Sequence, residues 1–109
     1  MINYDYFAKL ILRVGEIKKV EIVSDADKLL KLIVDFGEEE PRQIISGIRE
    51  YFENPAILEG VKCAFVTNLE PRVIRGLESR GMILAAHDPE GHFSLLTVSK
   101  DIPAGTKIN

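Results

Sequence analysis

Five cations stand where they could meet an anionic partner. Lys28 closes a turn, Arg42 opens a short apolar segment, and Arg72, Arg75 and Arg80 share the stretch from Asn68 to Gly81. Ammonium and guanidinium groups grip phosphates and carboxylates by charge-assisted hydrogen bonds. Asn68 and Ser79 bring hydrogen-bonding groups to the same stretch. Gly81-Met82 offers close backbone approach beside an adaptable apolar side chain. Plainer readings compete, since Asn68 ends a strand and Ser79 to Met82 equally suits a tight turn. Catalysis has weaker material. Asp25 and Asp27 read as turn aspartates, His87 and His92 flank a hairpin, and Cys63 lies on an apolar strand face. One cysteine and two histidines give no zinc site. There is no phosphate-cradling glycine loop, no His-Glu-x-x-His and no Gly-x-Ser-x-Gly. The chain reads as non-catalytic, without metal or cofactor.

The elements that must position these residues are mostly strands. Asp5 caps a short helical turn through Phe7 and Ala8. Ile11 to Val23 predicts a long first strand whose alternation breaks, and Gly15 at the break reads as a bulge or sharp coil. After the Ser24 to Asp27 turn, Leu30, Leu32, Val34 and Phe36 alternate with polar residues in a second strand. Gly37 to Pro41 is a hairpin loop and Arg42 to Ser46 a third strand. Ile48 to Phe52 makes one or two helical turns, stopped at Asn54-Pro55. Lys62 to Thr67 is a fourth strand, Asn68 to Gly81 a long connection, and Met82 to Ala86 a fifth strand. Lacking polar residues, that fifth strand is expected to be buried on both sides. A further strand, Phe93 to Val98, and a turn at Pro103 to Gly105 complete the chain.

This succession is that of an all-β OB-fold, a five-stranded Greek-key barrel. It has a short helix between strands 3 and 4 and extra terminal elements. Another small all-β barrel is the alternative. OB-folds bind ligands on strands 2 and 3 between the loops joining strands 1–2 and 4–5. Here those loops run from Ser24 to Lys28 and from Asn68 to Gly81, so most of the mobile positive charge flanks the customary site.

Composition sets the bounds. The chain has 109 residues, 46% hydrophobic and 28% charged, the size of one domain spanning 1–109. No apolar run approaches the ~20 residues a membrane span needs. The start lacks the basic-then-apolar pattern of a signal peptide, and nothing demands an oxidising compartment, so the cytoplasm is expected. Met1 and the compact ends read as a complete polypeptide. A net charge of −3 is a poor balance for nucleic acid, but the charge is segregated. Residues 35–61 carry seven acids and two bases, whereas 9–31 and 62–86 each sum to +2. Solubility explains any one block; a basic working face with an acidic back, remote at the strand 2–3 hairpin, explains the set. The loops around the site hold no tryptophan, and the 68–81 stretch no aromatic residue. That disfavours stacking on single strands and favours readout of backbone and shape.

Six short motifs then stand in register: Phe7-Ala8-Lys9, Leu12-Arg13-Val14-Gly15, Ala26-Asp27-Lys28-Leu29, Ile45-Ser46-Gly47-Ile48, Asn68-Leu69-Glu70-Pro71 and Ser79-Arg80-Gly81-Met82. Together they make the chain resemble the tRNA-binding domain appended to methionyl-tRNA synthetase and its free-standing structural relatives. The likeness runs from about Tyr4 to Ile108. It implies an OB-fold homodimer, its interface built from Met1 to Lys9 and Phe93 to Asn109, that binds tRNA by its bent shape. By the same resemblance the tRNA-contacting positions are Lys28, Arg42, Ser46, Asn68, Arg75, Ser79 and Met82. Two departures stand out. Val23-Ser24 replaces the usual histidine-proline, and Arg80 replaces the commonest glutamine.

The expected function is tRNA binding, free-standing or as part of, or partner to, a methionyl-tRNA synthetase chain. The alternative is a dimeric peptide-binding chaperone or protein-docking module of the same fold. The export chaperones of that branch differ after the fourth strand and lack the Asn68 to Met82 block.

Overall fold

The computed structural model describes residues 1–109. Its strands are β1 (Leu12–Ile22), β2 (Leu30–Asp35), β3 (Arg42–Ser46), β4 (Lys62–Val66), β5 (Arg72–Ile74), β6 (Leu77–Ser79), β7 (Met82–Ile83), β8 (Ala85–His87), β9 (Phe93–Leu95) and β10 (Lys107–Ile108). A single helical turn, α1 (Tyr4–Phe7), precedes them, capped by Asn3 rather than Asp5: the Asn3 carboxamide accepts from Tyr6 N. The main sheet runs β3-β2-β1-β4-β7, all antiparallel, with β10 added against β1. It is a nearly closed, OB-like all-β barrel.

β1 makes closure possible because it serves two neighbours. Leu12 to Glu16 pair with β4, while Glu16 to Ile22 pair with β2. The bend lies between Ile17 and Lys19, where the register to β2 shifts. The bulge expected at Gly15 is therefore three residues away, and Gly15 has another reason to be glycine. A Cβ there would stand 2.6 Å from the Phe36 ring, 2.7 Å from Val34 and 2.8 Å from Phe65. Those side chains form the barrel's centre with Ile17, Leu32 and Ile44, and the Phe36 and Phe65 rings meet edge to face at 5.1 Å.

Three further connections differ from expectation. Between β3 and β4 the helical turns are 3-10, at Arg49–Tyr51 and again at Pro55–Leu58. Asn54-Pro55, expected to stop the first, starts the second, with Asn54 accepting from Ala56 N and proline at the first turn. The stretch from Asn68 to Gly81 is a two-stranded hairpin, β5–β6, in register Ile74 with Leu77. Its loop is Arg75-Gly76, both with positive φ (53° and 77°), the mark of a type I′ turn. Finally, the apolar run Met82 to Ala86 is not one buried strand. Ile83 alone is buried, and β8 is fully exposed. The chain leaves the barrel at Leu84, where β4's Ala64 carbonyl accepts from Leu84 N and its amide donates to Leu96 O.

The C-terminal segment fills the edge of β1 that β2 leaves free. Val14 N donates to Thr106 O and Gly105 N to Val14 O, while Lys62 Nζ pairs with Asp101 at 2.7 Å.

Candidate functional site

The barrel's remaining opening lies between β3 and β7, and residues 78–81 close it. Arg80 N donates to Gln43 O, and Gln43 Nε2 donates to Glu78 O. Between these two bonds, where a ladder carbonyl would ordinarily accept, Ser79 Oγ accepts from Ile45 N at 3.0 Å and donates to Gly81 O. Ser79 is 5% exposed, so its hydroxyl works inside the seam. Gly81 follows at φ 147°, where a Cβ would come within 3.1 Å of Ile44 and 3.2 Å of Val66 O. Beside the seam, Leu69, Arg72, Ile74 and Met82 surround a small cavity of ≈ 70 Å³, with Met82 47% exposed at its mouth.

Next to it lies a larger open cleft of ≈ 430 Å³, lined by Asp25 to Leu29 from the β1–β2 loop and by Ile74-Arg75 from the hairpin tip. Lys28 and Arg75, far apart in sequence, come together there. The loop is held locally, with Asp25 at φ 61° and Leu29 N donating to Ala26 O. Lys28 O accepts from Arg49 N, which brings the first 3-10 turn alongside. Ser46 is half-buried at the end of β3, opposite Leu30.

Asn68 and Arg42 are engaged within the chain. Asn68 Oδ1 accepts from Ile11 N and its Nδ2 donates to Lys9 O, clamping the N-terminal segment to the end of β4. The guanidinium of Arg42 donates from Nε and Nη2 to the Glu38 carboxylate, both at 2.8 Å, and from Nη1 to Thr67 O at 2.7 Å. Arg42 and Arg13 hold the Glu38 carboxyl below its ordinary range, Arg42 foremost. Through this pair the acidic hairpin reaches the seam itself, because Arg42 Nη1 also donates to Arg80 O. The hairpin expected to be remote from the site thus touches its edge.

Of the seven expected residues, Lys28, Arg75 and Met82 are exposed and Ser46 is half-buried, whereas Arg42, Asn68 and Ser79 hydrogen-bond the framework, Asn68 while remaining exposed. Six ion pairs form in the chain, with a seventh contact between His92 and Asp88, and Lys28, Arg49, Arg72, Arg75 and Arg80 enter none of them. Arg72 and Arg80 were read as cations of this stretch but left out of the tRNA-contacting set, and Arg49 was not singled out. Arg49 joins only through the contact of the 3-10 turn with Lys28, which no spacing announces. The two-residue turn at Arg75-Gly76 sets Arg72 opposite Ser79. The cleft sets Lys28 and Arg75 beside the carboxylates of Asp25 and Asp27, and Glu70 joins the apolar lining of the small cavity. Cys63 is fully buried and burial pushes its thiol up to about 12. No group of side chains has the make-up of a metal site.

Comparison with known proteins places this geometry. Residues 12–107 match the family described as "Putative tRNA binding domain". The chain is 48% identical over 108 residues to a methionine–tRNA ligase of Deinococcus radiodurans and 50% identical over 107 residues to that of Methanocaldococcus jannaschii. These matches take in 99% and 98% of the chain but 16% of each ligase, so the chain spans about one sixth of their length. In structure it is similar to the MetRS-related protein of Pyrococcus horikoshii (TM-score 0.91, 40% identity, 99% of this chain and 97% of that one). It is also similar to the chaperone CsaA of Bacillus anthracis (TM-score 0.88, 30% identity, 100% and 99%). The chain belongs to the tRNA-binding domain family, as its six motifs and its barrel both indicate.

Proposed function

We propose that this chain is a non-catalytic, single-domain tRNA-binding module of the cytoplasm that reads the backbone and shape of folded tRNA. It would act as a homodimer, either free-standing or joined to a methionyl-tRNA synthetase chain. One observation carries the reading: Lys28 and Arg75 meet in an open cleft, with Arg49, Arg72 and Arg80 close by in sequence or structure, and all five lack an ion-pair partner. Unpaired cations at the rim of a cleft suit phosphates, which bind by charge and need no sequence code. In this proposal Lys28 and Arg75 contact phosphates, Met82 stands at the mouth of the neighbouring small cavity, Ser46 ends the strand paired with Leu30, and Arg42, Asn68 and Ser79 hold the strands and loops that present them.

The homodimer rests on apolar surface left open in one chain. Met1, Ile2, Tyr4, Tyr6 and Phe7 are exposed, as are Ala85, Ala86 and Leu96. An apolar strand such as β8 that is solvated in one copy is what a second copy would cover.

A second reading, a peptide-binding chaperone, draws on the exposed Leu69, Val73 and Met82 around the small cavity and on the likeness to CsaA. A filter-binding titration separates the two. Folded tRNA and an unfolded peptide are each titrated at two salt concentrations. The expected result is tRNA binding that weakens as salt rises, with little peptide binding. No salt-sensitive tRNA binding below about 100 μM would exclude the first reading.

A further inference from the structure

Glu38 sits in the grip of two arginines. Arg42 donates to both of its oxygens in a fork, and Arg13 Nη1 reaches Oε2 at 3.3 Å. Lys107 lies directly across the β1–β10 pair from Arg13, so a third cation shares that stretch of sheet. One carboxylate is therefore held by two arginines. The fork does not depend on Glu38 for its position. Arg42 Nη1 is tied to Thr67 O and Arg80 O, its guanidinium carbon lies 5.4 Å from the centre of the Phe36 ring, and its side chain is only 13% exposed. Glu38, in contrast, belongs to the six-residue connection between β2 and β3 and is 33% exposed. The guanidinium is held by the framework as well as by Glu38, whereas the Glu38 carboxylate is held only by the two arginines.

We propose that Arg42 and Arg13 form a phosphate-binding site which Glu38 occupies as an internal stand-in, releasing it when a phosphate group arrives. A bidentate guanidinium fork fits two phosphate oxygens as it fits two carboxylate oxygens. The phosphate would come from the RNA backbone or from free phosphate. Its place beside Arg80 makes it an extension of the Lys28–Arg75 cleft across the seam, and to that extent the proposal rests on the tRNA reading. The exchange keeps the charge of the site balanced: one anion leaves as another enters. Wild-type protein therefore gains little net attraction from this site, and the carboxylate limits both affinity and indiscriminate binding.

The test compares Glu38→Gln with Glu39→Gln, which removes the same charge from the same loop at a residue that pairs with no arginine. Folding of each variant is checked by thermal unfolding. Two probes are titrated over a salt series, folded tRNA and inorganic pyrophosphate, the second followed through the Arg42 Nε–H resonance. The expected result is that Glu38→Gln binds both probes several-fold more tightly and steepens the tRNA salt dependence by about one unit of slope. Glu39→Gln should change neither slope nor the Arg42 resonance, and Arg42→Gln added to Glu38→Gln should remove the gain. Equal effects of the two single variants, or pyrophosphate that leaves the Arg42 resonance unmoved in Glu38→Gln, would overturn the proposal. Should wild-type protein fail to bind tRNA while pyrophosphate shifts Arg42 in Glu38→Gln, the tRNA reading falls and the anion site stands.

Discussion

Arg75, one of the two cations proposed to meet phosphates, holds an uncommon backbone conformation. It occupies the first position of a type I′ turn with φ 53°, a region that asparagine and glycine visit far more readily. A non-glycine residue held there costs on the order of 1 kcal/mol, so the tip of the hairpin gives up stability to carry a charge. Arg75→Asn should leave the thermal midpoint unchanged or raise it, by up to about 1 kcal/mol of stability, while weakening tRNA binding. A fall in stability would show that the guanidinium makes a structural contact. At this scale the sequence was a partial guide. Cationic residues advertise themselves by type, and Lys28 and Arg75 were both singled out. What residue type cannot reveal is whether a polar group is already engaged. Asn68, Ser79 and Arg42 looked as available as Lys28, yet their partners, Lys9, Ile45 and Glu38, are fixed only by folding. For Asn68 the structure adds a long-range clamp on Lys9 and Ile11 to the plainer strand-end reading.

The strands and their joints decide which of those residues face outward. Alternation in Leu30 to Phe36 and the β-branched run of β1 made the barrel legible. Connections were harder, because their structure depends on two or three residues rather than a period. Arg75-Gly76 spelled a hairpin turn only weakly, arginine being rare there, and so β5–β6 read as loop. Gly15 illustrates the opposite error. Its break in the pattern was real, but crowding by Phe36, Val34 and Phe65 requires the glycine, and the strand bends instead between Ile17 and Lys19. Met82 to Ala86 looked buried because composition cannot count the neighbours a strand will have. The seam between β3 and β7 is the joint on which the site depends. Replacing Ser79 with alanine leaves the Ile45 amide without its acceptor in a buried place, which should cost about 1–3 kcal/mol. Equilibrium urea unfolding measures this, and an unchanged midpoint would mean the seam closes without the hydroxyl.

Over the whole molecule, the net charge of −3 is a poor summary of the surface. Some acids and bases are paired away from the site, as in Glu21 with Lys31 and Lys19, and Lys62 with Asp101, while the cations around the cleft enter no ion pair. This arrangement also sets the acid stability. Lys31 first, and then Lys19, hold the Glu21 carboxyl down to about 2 from an ordinary 4.5; Glu38, Asp88 and Asp101 are shifted in the same direction. A carboxyl with a lowered folded-state value stabilises the fold above its unfolded value, and that contribution disappears as protons are taken up. The urea midpoint should therefore fall as pH drops from 4.5 towards 2, and Glu21→Gln should flatten part of that decline. An acid limb identical in the variant would remove Glu21 from the explanation. The central claim, that unpaired cations from two loops bind tRNA by its backbone, is tested most directly by salt. Affinity for several folded tRNAs is measured over a salt series for wild type and for Lys28→Gln combined with Arg75→Asn. The account predicts that the log–log slope becomes shallower by about two in the double variant, with a similar loss for every tRNA. An unchanged slope, or losses differing about a hundredfold between tRNAs, would contradict it.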